Sequence, residues 1–214
     1  MSARRRAIFS VVFMLLTCGC SATIIPPPAP VNPVPVYVAD FGRHSSLILP
    51  NPARGWTEYS WAEWDWFARG NAHWYMAPRA LFFSDHSTLC QRNFGPQKNE
   101  QALRHKLGAS RITQIDCSAD RVAALRDCLN ERFSRQSLSL YHGGYSEMDH
   151  VIDDEHYWLG RNCNQMTARW LRQLGCDVRG WPFLSHFKLQ SRQQANRGDS
   201  SVAIGLALPL VHGR

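Results

Sequence analysis

Short apolar runs at Val36–Asp40 and Ser45–Leu49, separated by Phe41-Gly42-Arg43-His44, predict two strands. Trp56–Trp66 is aromatic and partly alternating, which predicts a further strand near Glu58–Trp61. Ala80–Ser84 and Ser87–Asn93 read as short strands, or as a short helix with a strand. Pro96–Leu107 reads as a loop followed by a helical turn. Arg111–Cys117 alternates through Ile112, Gln114, Ile115 and Cys117 and predicts another strand. Ser118, Ala119 and Asp120 then offer N-cap candidates for a helix over Arg121–Phe133, with Val122, Leu125, Cys128 and Leu129 on one face. The clearest helix spans Asn162–Gly175. Met166, Trp170 and Leu174 recur at four-residue steps, Asn162 is a natural N-cap, and Gly175 suits a left-handed end.

The first residues follow a different pattern. Arg4, Arg5 and Arg6 precede an apolar run from Ile8 to Leu16 broken only by Ser10. That run is short for a bilayer span, which takes about 20 apolar residues, but it suits the core of a secretion signal. Leu16-Thr17-Cys18-Gly19-Cys20-Ser21 follows, and a small residue before a cysteine is what lipid attachment requires. Gly19-Cys20 fits best, with Cys18 as the competitor. We therefore expect a lipoprotein signal over residues 1–19 and acylation of Cys20. Ile25–Pro35 is proline-rich, so residues 20–35 are expected to form a semi-rigid tether and residues 36–214 one domain. The expected location is the periplasmic side of a membrane, the outer membrane foremost, with membrane lipid as the partner of the anchor.

Charge changes little. Of 24 basic residues the signal removes three, leaving 21 against 17 acidic ones, a net +4. The basic residues are not clustered, so nucleic acid is not an expected partner. Cysteine parity says more. Of seven cysteines, cleavage removes Cys18 and lipid occupies Cys20, which leaves Cys90, Cys117, Cys128, Cys163 and Cys176. An odd number in an oxidising compartment leaves at least one thiol free or paired between chains. Cys163 and Cys176 are poor partners, since a helix between them holds them about 20 Å apart. Cys117 and Cys128 can pair if the intervening helix folds back on its strand.

Cys163 lies in the first turn of its helix, on the face shared with Met166 and Trp170. The helix dipole and unpaired amides there favour a thiolate, the form that attacks carbonyl carbon. The bland alternative is a small buried hydrophobe. A base is also needed. His44 follows a Gly-Arg turn and opens a strand, where it can face a helix tip. His142, His150 and His156 are weaker alternatives.

Val36-Tyr37-Val38, Gly42-Arg43-His44-Ser45-Ser46-Leu47-Ile48-Leu49-Pro50, Glu58-Tyr59-Ser60-Trp61-Ala62-Glu63 and Asn162-Cys163-Asn164-Gln165-Met166-Thr167-Ala168 together resemble a family of uncharacterised bacterial lipoproteins. That family is similar to a circularly permuted branch of the NlpC-type, papain-like cysteine hydrolases. Lecithin:retinol acyltransferase-like enzymes share the permuted order. The likeness runs loosely from Val36 to about Leu189. It implies an α+β, papain-like domain in which an antiparallel sheet packs on the helix carrying the cysteine. It further implies Cys163 as nucleophile, His44 as base, and a polar residue orienting the imidazole. Glu58 is the first choice for that residue, with Glu63 and Asp65 as fallbacks. The Cys163 amide would donate to the oxyanion. The family often carries His-Thr in place of His44-Ser45, and a Gly-Trp-Gly-Asp-like run in place of Ser60-Trp61-Ala62-Glu63.

The implied function is a thiol hydrolase, an amidase or peptidase, acting on an amide or ester such as a peptidoglycan stem peptide. The alternatives are a lipid acyltransferase and a non-catalytic envelope binding or assembly module. No cofactor or metal is implied. Glu147, Asp149, Asp153, Asp154 and Glu155, with His150 and His156, match no calcium loop and are expected to form a solvated loop. Trp56, Trp61, Trp64, Trp66 and Trp74 are expected in core and rim packing rather than in a sugar or lipid groove.

Overall fold

The computed structural model describes residues 21–70, 82, 84, 86–143 and 147–195. Cys18, Cys20, Trp74 and most of Ala80–Ser84 lie outside them. The architecture is α+β. Among the described residues, seven strands form one antiparallel sheet: β2 (Pro33–Asp40), β3 (Ser45–Asn51), β4 (Gly55–Glu63), β5 (Ser87–Phe94), β6 (Arg111–Ser118), β7 (Tyr141–Gly143) and β8 (Met148–Asp153). Their spatial order is β6-β2-β3-β4-β5-β8-β7. A smaller sheet, ordered β10-β1-β9, joins β1 (Ala22–Ile25), β9 (Asp177–Arg179) and β10 (Phe187–Leu189). Among the described residues the longer helices are α1 (Glu100–Leu107), α2 (Ala119–Arg135) and α3 (Cys163–Gln173), and a π-helical turn spans Trp64–Ala68.

Strand alternation gives the large sheet two different faces. Val36, Val38, Leu47, Leu49, Tyr59, Trp61, Leu89 and Val151 project to the first face. There they bury against Val122, Leu125 and Leu129 of α2 and against Met166, Trp170 and Leu171 of α3. On the second face Ala39, Ile48 and Ile112 pack against Leu103 and Leu107 of α1. Towards β4, β5 and β8 that face turns polar, with Glu58, Ser60 and His150 buried among Ala62, Cys90 and Met148.

The helix ends follow the chemistry of their sequences. The Asn162 side chain accepts from the Gln165 amide at 3.0 Å and starts α3. At the other end the Gly175 amide bonds the Arg172 carbonyl and the Cys176 amide bonds the Leu171 carbonyl, both at 3.0 Å. This is the two-bond Schellman closure, and it requires the left-handed Gly175, whose φ is +91°.

Three expectations change. The segment expected as a tether is folded onto the domain at both ends. Ala22, Ile24 and Ile25 are buried, and Pro33–Val36 pair with β6 before the pairing of β2 with β3 begins at Tyr37. Proline is tolerated there because one side of the strand needs no amide donor. The acidic stretch expected as a solvated loop is largely structural. Asp153 is buried and accepts from Trp61 Nε1 at 2.5 Å and from Arg132 Nε at 2.8 Å. Glu155 is bridged by Arg132, Arg161 and Arg169 at 2.9–3.3 Å.

The third change concerns the cysteines. Cys128 is exposed, whereas Cys117 is buried on the first face with its thiol hydrogen-bonded to that of Cys176, just past α3. All five described cysteines are free thiols. A disulfide in an oxidising compartment is therefore expected between Cys117 and Cys176, not between Cys117 and Cys128. Thiol titration of the denatured protein from such a compartment should find two fewer thiols than after reduction. Peptide mapping should join these two residues. A crosslink from Cys128 would refute the assignment.

Candidate active site

The N-terminus of α3 is fastened to the head of β3 and to the loop before β10. Ser45 Oγ donates to Asn164 Oδ1 at 2.8 Å, and Thr167 Oγ1 donates to the Ser45 carbonyl at 3.2 Å. Asn164 Nδ2 donates to the carbonyls of Arg43 (3.2 Å) and Phe183 (3.0 Å). These bonds hold Cys163, the first helical residue, against the turn that leads into β3. Its Sγ lies 3.9 Å from the Arg43 carbonyl oxygen. The Tyr157 hydroxyl hydrogen-bonds the same sulfur. Tyr157 is itself stacked on Trp61, with centroids 5.3 Å apart.

His44 stands one residue before β3. Its Nε2 is 2.5 Å from Ser60 Oγ on β4, and its ring packs on Phe67 at 4.8 Å. Ser60 belongs to the second face, whereas Ser45, bonded to α3, belongs to the first. In this arrangement His44 is bonded toward the second face while Cys163 lies against the first, beside the Arg43 carbonyl. Among the described residues no hydrogen bond joins Cys163 to His44. Both nevertheless line one cavity of about 1120 Å³, which also takes in Ser60, Glu63, Tyr157, Asn162 and Asn164.

Glu58, the first-choice orienting residue, lines the same cavity but has other partners. Its carboxylate accepts from Ser46 Oγ at 2.6 Å and from Arg92 at 2.7 and 3.1 Å. Arg92 stands directly across from it on β5. Ser60, two residues along the same strand, holds the imidazole instead. Of the fallbacks, Glu63 caps the π-helical turn through Trp66 N (2.5 Å), and Asp65 pairs with Arg69 at 3.3 Å. Among the alternative histidines, His142 is exposed beside Asp149 at 2.7 Å, and His150 Nε2 lies 3.0 Å from the Gly143 carbonyl. His156 is exposed.

The electrostatics run against the expected thiolate. Burial pushes the Cys163 thiol up to about 11. The Tyr157 hydroxyl and the amides of Asn164, Cys163 and Ser45 all pull it down, and they lose. A rise from 9 to about 11 is about 3 kcal/mol against the charged form. A helix terminus supplies about 0.3–2 kcal/mol. Burial likewise lowers His44 to about 4. At neutral pH the resting pair is a thiol and a neutral imidazole.

Of the contributors that the sequence did not single out, Ser60 had a signal: it shares the face of Glu58 two residues on. Asn164 had one too, as the residue after the cysteine at a helix start. Tyr157 comes from a loop and had none. Trp61 packs in the core and partly buried Trp56 at its rim, as expected, while Trp66 lines the cavity. Among the described residues no helix is long and apolar enough to cross a membrane, and no three acidic, histidine or cysteine side chains gather as a metal site. No family model, no curated protein and no solved structure matches this chain.

Proposed function

We propose that the protein is an envelope lipoprotein of papain-like type that cleaves an amide or ester through Cys163, with peptidoglycan stem peptides as the first substrate class. One observation carries this reading. A cysteine at the start of a helix packed on an antiparallel sheet shares a cavity with a neutral histidine at the head of the neighbouring strand. In the reaction Cys163 Sγ attacks the carbonyl carbon while His44, swung from Ser60 toward the thiol, takes the proton. The imidazolium returns that proton to the departing amine or alcohol, and water then hydrolyses the thioester. The Cys163 amide, at the helix tip, would donate to the oxyanion.

A second reading has its own support. His44 is turned to Ser60, and both groups rest neutral. This suits a module that keeps the fold and binds envelope components without turning them over.

Incubation with peptidoglycan fragments and, separately, with phospholipid, followed by mass spectrometry, separates the readings. A hydrolase gives new carboxyl-bearing products, and Cys163→Ser or His44→Gln suppresses them about 10³-fold or more. An acyltransferase gives products from lipid alone. Retention of peptidoglycan with no product from any substrate supports the binding module.

A further inference from the structure

The antiparallel register of β1 with β9 pairs Thr23 with Arg179. Continued outward, it sets Ser21 opposite Trp181. Gly180, at φ +84°, makes the approach close, since a Cβ there would come within 3.1 Å of the Ser21 carbonyl oxygen. Cys20 is the next residue, one Cα–Cα step of about 3.8 Å away. The chain from Trp181 to Ser185 then runs directly to the candidate site. The Phe183 carbonyl is held by Asn164 beside Cys163, and Phe183 and Leu184 line the cavity. This loop presents Trp181 at 55% and Leu184 at 42% exposure, large apolar side chains left in solvent beside the point where the anchor begins. Exposed Arg43 stands at the same cavity.

We propose that the Trp181–Ser185 loop is a bilayer contact, with Trp181 and Leu184 seated at headgroup depth and the cavity opening toward the membrane surface. The proposal rests on reading Cys20 as the acylated residue. The occupant follows from the covalent chain: on that reading the acylated Cys20 immediately precedes Ser21, and Ser21 and Ala22 lie close against Gly180, just before the loop. Tryptophan favours this depth because its ring is apolar and its N–H stays wet. Arg43 adds attraction to anionic headgroups. A carbonyl reaching Cys163 through this mouth would lie at the lipid–water interface.

The test uses the full chain, expressed with its signal, purified from membranes and checked for acyl mass on Cys20. It is reconstituted in phosphatidylcholine–phosphatidylglycerol vesicles whose acyl chains carry bromine, a quencher of tryptophan emission. Trp181→Phe removes one of eight tryptophans at an exposed position, and cooperative unfolding checks that the variant is folded. Trp181 at headgroup depth makes the wild type lose a larger share of its emission to brominated lipid than the variant does. Equal quenching of an acylated wild type and an acylated variant overturns the bilayer contact while leaving the anchor intact. A Cys20 without acyl mass overturns the anchor, and the contact with it.

Discussion

Asp153→Ala is expected to lower stability by about 3–5 kcal/mol, the cost of leaving one side of a buried charge pair unanswered. Asp153 is 5% exposed, and its carboxylate accepts at once from the Trp61 indole, from two nitrogens of Arg132 and from the Asp154 amide. Truncation strands the indole N–H in the core and removes the closest charge from a guanidinium that is itself mostly buried. A small domain has about 5–15 kcal/mol in all. The variant should therefore shift its urea midpoint by a large fraction of the total, or fail to accumulate. Asp153→Asn keeps acceptors for the indole and should lose less. An unfolding free energy within about 1 kcal/mol of wild type for the alanine variant would mean that Glu155, 3.0 Å from Arg132, satisfies the arginine alone.

The second large effect concerns reactivity. Alkylation of Cys163 is expected to follow a thiolate titrating near pH 11. Between 9 and about 11 lies a hundredfold in thiolate fraction, so at pH 7 to 8 Cys163 should react about 100-fold more slowly than an unperturbed thiol. The sign follows from the cause. Burial penalises the anion, so the folded protein holds the proton to higher pH than the unfolded chain does, and unfolding should release the reactivity. Exposed Cys128 serves as the internal standard. If the rate instead levels off near pH 6 to 7 and falls in His44→Gln, the thiol and imidazole form an ion pair in solution. That result would mean that the ring leaves Ser60 without substrate.

Most of the sheet and α3 were legible in the sequence because their signals are local. The Asn162 cap, the four-residue recurrence and Gly175 each bound one helix with short-range chemistry. Gln114–Cys117 alternates in burial as its side chains suggest, while Ile112 is buried on the opposite face. β1 was not legible. Four residues with no period stand before a proline run, and their partners, Asp177–Arg179 and Phe187–Leu189, are remote. The site was half legible for a related reason. Cys163 and His44 both border the cavity, but the face of the imidazole was hidden. Ser45–Leu49 is buried on both sides, so hydrophobicity does not reveal which alternate residues turn toward α3. Contacts settle it: Ser45 meets Asn164, and His44 meets Ser60. Glu58 was chosen by type and position, but an arginine directly opposite outweighs a neutral imidazole as the partner of a carboxylate.

The burial of β1 also bears on how such a chain would mature. Ala22 is fully buried between Phe187 and the β9 strand. An enzyme that acylates Cys20 or cuts before it needs the flanking residues extended and reachable. Because the partners of β1 lie so near the far end of the described chain, in a chain exported as proposed the small sheet would close only after almost everything else had been delivered across the membrane. That delay opens an interval in which processing and folding compete for the same few residues. A substitution that hastens closure would leave more of the chain unprocessed, and one that weakens β1 would favour acylation at the expense of the finished fold.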